Sequence, residues 1–133
     1  MSEFDRPILD EFGRALMEQV RDETISDLQR LISGKMANKQ LKELCQAFER
    51  QELKPEQLEI VGRLLVYAID SAMASFLQFL DANEIGLLFR DTDGEAHDIQ
   101  AISDGLAGEP YSEAGWIEQF SKFKEGAAIE KLK

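Results

Sequence analysis

The chain is short of the side chains that carry most chemistry. It has one cysteine, Cys45, and one histidine, His97. A lone cysteine excludes an internal disulfide. With no apolar leader after Met1, it leads us to expect a reducing, cytoplasmic setting. A nucleophilic triad needs a base held beside the nucleophile, and zinc needs several His, Cys or carboxylate ligands. One Cys and one His far apart in sequence suggest neither, so the expectation is no catalysis, no cofactor and no metal. Phosphate-loop and dinucleotide fingerprints are missing. Basic patches are missing too, which argues against nucleic acid as a partner. The longest apolar run, Leu64 to Ile69, is cut by Asp70, short of the ~20 residues of a membrane span.

Acidity is what the chain has in excess. Its 133 residues are 44% apolar and 31% charged, with a formal charge of −11. That size and composition fit one globular domain over 1–133. The charge is uneven: residues 84–113 hold eight acids and one base, −7 of the −11. A field of this sign repels nucleic acid and anionic membranes and attracts basic proteins, although net charge also serves solubility alone.

Apolar periodicity predicts helices over most of the chain. Asp5 and Pro7 suit a helix start, and Leu9, Phe12, Leu16 and Val20 form a stripe continued by Leu28, Leu31 and Ile32. Steps of four drift around a helix, and Asp22-Glu23-Thr24 interrupts them, so a kink or break is expected there. Gly34 reads as the stop. A second helix from about Asn38 to Gln51 places Leu41, Leu44, Cys45 and Phe48 on one face, which makes Cys45 a small core residue. A third helix runs from Lys54-Pro55-Glu56 to Asp81-Ala82-Asn83. Its charged members Glu56, Glu59, Arg63, Asp70 and Asp81 crowd into a sector roughly 60° wide, with apolar side chains nearly everywhere else. That wheel predicts a central helix wrapped by the others, with Leu65, Ile69, Ala72 and Phe76 buried. On it, Asp70 belongs to a solvated stripe that includes a Glu59–Arg63 pair.

Beyond residue 83 the texture changes. Glu84 to Arg90 reads as a strand, Asp91-Thr92-Asp93-Gly94 as a turn, and Glu95 to Ile99 as the returning strand. Residues 103–115 read as a loop, after which Ser112 caps a last helix bearing Trp116, Ile117, Phe120 and Phe123 on one face. The expected fold is α+β and predominantly α: three to four packed helices around a central helix near 55–82, with a β-hairpin near 85–100.

Two constellations invite chemistry. Asp91-x-Asp93-x-Glu95 suggests calcium, but the EF-hand needs Gly at its sixth position and Glu at its twelfth. Those positions are Ala96 and Ile102, so a hairpin turn is the better account. The second is an acidic surface beside an aromatic: Asp91, Asp93, Glu95, Asp98, Asp104, Glu109 and Tyr111 lie in or next to turns, where binding residues concentrate. An aromatic anchor inside a charged rim suits a protein interface. The alternative at this position is that the acids are only solvated. Whether Trp116 belongs to the core or to an interface stays open.

The run Ile102-Ser103-Asp104-Gly105-Leu106-Ala107-Gly108-Glu109, with Gly115-Trp116-Ile117 and Phe120-Ser121-Lys122, resembles the end of a group of small bacterial proteins of uncharacterised function. In general character the chain is similar to cytoplasmic immunity proteins, which neutralise toxin domains. The resemblance covers about twenty residues and brings no catalytic motif. It implies a non-catalytic protein that covers a basic toxin surface with carboxylates. The rival expectations are a secretion chaperone or adaptor, and a small enzyme built from scattered carboxylates.

Overall fold

The computed structural model describes residues 5–33 and 39–124. Among them the fold is mostly helical with one two-stranded antiparallel hairpin, the expected α+β class. Gly34 and Asn38 lie outside the described residues.

Helix α1 (Asp5–Leu16) passes without a break into a π-helical turn (Met17–Asp22) and then α2 (Glu23–Ile32). The sequence dictates this widening. Apart from Asp22, the buried positions are Leu9, Gly13, Met17, Arg21 and Ile25, at steps of four residues. Such a row slides around an α-helix, whereas a π turn with its i→i+5 bonding absorbs the drift and keeps the row facing inward. The interruption expected at residues 22–24 is therefore a π turn that ends at Asp22. It also corrects the apolar stripe: Val20 is turned out to solvent and Arg21 is turned in.

Helix α3 (Lys39–Glu49) buries Cys45, whose thiol donates to the Leu31 carbonyl at 3.0 Å. Leu44, expected on the same buried face, is exposed: α3 makes its main contact with α2 and buries a single narrow stripe.

Helix α4 (Pro55–Ala82) is 28 residues long. Pro55 occupies its first turn, and Lys54 N–H donates to the Gln57 side chain at 2.8 Å to complete the cap. Its bounds are as expected, but it is not wrapped. It buries one stripe, Gly62, Val66, Met73, Leu77 and Leu80. Ala72 and Phe76, expected in the core, are exposed, and Leu65 and Ile69 are half-buried. The other helices are too short and too few to cover a rod about 42 Å long at 1.5 Å per residue.

Strands β1 (Leu88–Arg90) and β2 (Ala96–Asp98) pair with Phe89 opposite His97. The first is shorter than expected: residues 84–87 bend instead, starting with Glu84 at φ 50°. Helix α5 (Ile99–Ile102), a 3-10 turn (Leu106–Gly108) and α6 (Trp116–Phe120) follow. Gly115, not Ser112, is the N-cap of α6, and Ser112 contributes its carbonyl to the turn before it. Trp116 is fully buried with Leu9, Met17, Leu77, Leu80, Ile99 and Leu106, so it belongs to the core. Phe12 meets both Trp116 and Phe89 edge-on, with ring centroids 5.7 and 5.5 Å away.

Candidate functional site

The hairpin tip, the most acidic part of the sequence, is a closed turn. Asp91 Oδ1 accepts the N–H groups of Asp93 (2.9 Å) and Glu95 (3.0 Å), and its Oδ2 lies 2.7 Å from His97 Nε2. Gly94 takes the left-handed conformation at φ 87°, as its place in the turn requires. The Thr92 N–H donates to Glu11 Oε1 at 3.0 Å and ties the tip to α1. The hydrogen bond from His97, with help from the two backbone N–H groups, holds the Asp91 carboxyl below the ordinary carboxylate range.

Asp91, Glu95 and His97 bring their ligand atoms within 4.8 Å of one another, the closest approach to a metal-ligand set among the described residues. Two ligands of one tetrahedral zinc stand about 3.3 Å apart, given metal–ligand distances near 2.0 Å. The Asp91–His97 pair is closer and is joined by a hydrogen bond. A cation would have to break that bond and compete with the turn N–H groups for Asp91.

The other expected site residues divide in two. Asp98 faces inward: its Oδ1 accepts the N–H of Leu87 (3.1 Å) and of Ala101 (3.3 Å), capping α5. Glu109 forms a two-point ion pair with Arg6 at 2.8 and 2.9 Å. These two and Asp91 hold the fold together. Asp93, Glu95 and Asp104 are exposed. Tyr111 is partly exposed, and its hydroxyl donates to the Asp70 carbonyl at 2.7 Å. Desolvation, then the nearby Asp70 charge, pushes its pKa up to about 12. Arg6, Asp104, Gly108, Glu109, Ser112 and Gly115 line an open depression of about 390 Å³ whose one guanidinium already faces Glu109 and Asp10.

Asp70 is not part of a solvated stripe. It pairs with the buried Arg21 through Nε (2.7 Å) and Nη2 (3.2 Å). Arg21 Nη1 also donates to Ser121 Oγ and to the Phe123 carbonyl, while Asp22 accepts from Ser121 Oγ (2.6 Å) and from the Lys122 N–H (3.0 Å). No buried side-chain nitrogen or oxygen among the described residues is left without a partner, and the network clamps residues 121–123 onto the π turn. The Glu59–Arg63 pair forms as expected, at 2.8 Å.

The feature that periodicity alone misplaced is the outer face of α4. Ile60, Leu64, Tyr67, Phe76 and Phe79 are each more than half exposed, Tyr67 at 71%. By length and composition this helix would also cross a membrane: its best window has a mean hydropathy of 1.5, and 17% of that window is buried. The signal was present in the sequence as an excess of apolar residues over the surface that short neighbouring helices can cover.

Compared with known proteins, the chain matches no family model, no curated protein and no solved structure.

Proposed function

We propose that the protein acts without chemistry of its own, by binding another protein in the cytoplasm. The observation that carries this reading is the open apolar face of α4. Folded proteins rarely leave a contiguous apolar patch of more than a few hundred Å² in water unless something covers it. Around it lies a strongly acidic molecule, so a basic partner is steered toward it and anionic surfaces are repelled. The carboxylates Asp93, Glu95 and Asp104 are exposed to solvent and contribute to this field. Neutralisation of a basic toxin domain is the concrete form of this function. The resemblance of residues 102–109, 115–117 and 120–122 to small bacterial proteins supports it, and a toxin-domain gene beside this one would strengthen it.

The experiment is affinity capture from the native cells with three forms of the chain: wild type, Leu64→Ala with Tyr67→Ala, and Asp93→Asn with Glu95→Gln and Asp104→Asn. A captured partner should dissociate faster from the α4 variant and associate more slowly with the acid variant. Its association with wild type should slow as salt rises, since screening acts over roughly 8 Å at physiological ionic strength. A partner whose rates neither variant changes would place the binding surface elsewhere and sink this reading.

A further inference from the structure

We propose that the open face of α4 is the interface of a homodimer, formed with α4 of a second copy running antiparallel across it. This rests on the reading that α4 is a binding surface; the second copy occupies the face until a partner displaces it.

The first argument is pattern. On a helix, residues four apart form ridges. The exposed side of α4 is two neighbouring ridges, Ile60-Leu64-Ala68-Ala72-Phe76 and Tyr67-Ser71-Ser75-Phe79. Between residues 64 and 79 neither contains a charge, although the same four-residue steps run back to Glu56 on the first and to Arg63 and Glu59 on the second. Both are large at the outside and small in the middle. Small residues let two helix backbones approach closely at the centre. An antiparallel copy then sets Ile60 against Phe79, Leu64 against Phe76, Tyr67 against Ala72 and Ala68 against Ser71. Large aliphatic meets aromatic at both ends, and the one bulky residue near the centre faces a small one. A two-fold axis midway between residues 69 and 70 satisfies Ile60–Phe79, Tyr67–Ala72 and Ala68–Ser71 together and brings Phe76 within one residue of the position facing Leu64, as an isologous interface requires.

The second argument is area. The five large side chains expose roughly 700 Å² between them, close to the ~800 Å² that each partner contributes to a stable interface. The third is charge. Two copies at −11 each repel least across a face whose charged residues, Glu56, Glu59 and Arg63, sit at one end of each helix. A membrane is the other occupant that α4 suits by composition. Against it, the helix carries Glu59, Arg63 and Asp70 along its flank, and its inner stripe is already packed against the rest of the protein.

The test is sedimentation velocity of the full chain across concentrations into the hundreds of micromolar, at low and high salt, with and without neutral phosphatidylcholine vesicles. Wild type and the control Leu88→Glu, an exposed apolar residue on the hairpin, should be dimeric at high concentration. Ala68→Glu should be monomeric with an unchanged circular dichroism spectrum. Salt should strengthen the dimer by screening like charges, the opposite of its effect on a basic partner. In a Cys45→Ala chain, a short bis-maleimide should join Ser71→Cys copies, near the axis, but not Leu64→Cys copies, which the antiparallel arrangement holds far apart. A wild-type monomer at every concentration, a dimer that survives Ala68→Glu, vesicle binding, or cross-linking at both positions would each overturn the proposal. A monomer that still loses a captured partner on Leu64→Ala with Tyr67→Ala would leave the binding function standing and remove only the second copy.

Discussion

At the scale of single residues, the interior is set by close fits the sequence does not advertise. Gly13 lies flat against the Trp116 indole, and a Cβ there would fall within the ring. Gly13→Ala gains up to ~1 kcal/mol of helix propensity but overpacks the core, which typically costs 1–3 kcal/mol and occasionally more. The expected result is a net loss in chemical denaturation of up to about 2 kcal/mol once the propensity gain is subtracted, larger than for Ala at any exposed position of α1. Asp70→Ala leaves Arg21 buried with one partner fewer, and breaking a buried pair in this way costs about 3–5 kcal/mol; a loss under 1 kcal/mol would show the pair to be dispensable. Tyr111→Phe removes one partly exposed hydrogen bond, worth at most about 1 kcal/mol. It should also abolish the phenolate absorbance change near pH 12. The raised pKa means the folded state favours the neutral phenol, so the Tyr111 contribution is present below its ordinary pKa of 10 and lost as pH climbs toward about 12. Charge type is legible in a sequence, but pairing is not. Asp70 shares a wheel sector with Glu59 and Arg63, and nothing local reveals that Arg21, 49 residues earlier, turns inward to meet it.

At the scale of elements, local signals served well where local physics decides. Pro55 and the Asp-Thr-Asp-Gly turn were both legible and both form where expected. Register and burial were less so. The row of four-residue steps in the first helix announced a disturbance, and only packing determined that it became a π turn rather than a kink. The hairpin was legible, but the roles of its carboxylates were not: Asp91 and Asp98 read as rim residues and are instead the braces of the turn and of α5. This yields a test of the candidate site. The Asp91 carboxyl is held below its ordinary 3.8, so its bracing is complete above that pH and is lost as pH falls from 3.8 through the lower folded value. Amide resonances of Asp93 and Glu95 should report the turn opening in that acid window, and in Asp91→Ala the turn should be open at neutral pH. Amides that stay fixed in that variant would show that backbone geometry alone keeps the turn closed.

At the scale of the whole molecule, the fold class was legible and the placement of its longest helix was not, because a wheel records which faces are apolar and not how much protein exists to cover them. The molecule is also stitched end to end. Arg6 meets Glu109, Asp10 meets Trp116, Glu11 meets Thr92, and Arg21 and Asp22 meet residues 121–123. These contacts span 81 to 106 positions of sequence. On the ribosome, the first helix therefore emerges long before anything exists to satisfy its buried row: Arg21 waits first for Asp70, and Arg21 and Asp22 then wait for residues 121–123 to complete their contacts. Folding should be slow for a mainly helical protein, because long-range closure must precede its reward. A chain stopped after Phe120 keeps every helix among the described residues but leaves Arg21 with Asp70 alone and takes away the contacts of Asp22 to Ser121 and Lys122. Such a chain released from the ribosome should be protease-sensitive, while the chain extended through Lys124 should be resistant; equal resistance of the two would show that the clamp on the π turn closes after the fold is already made.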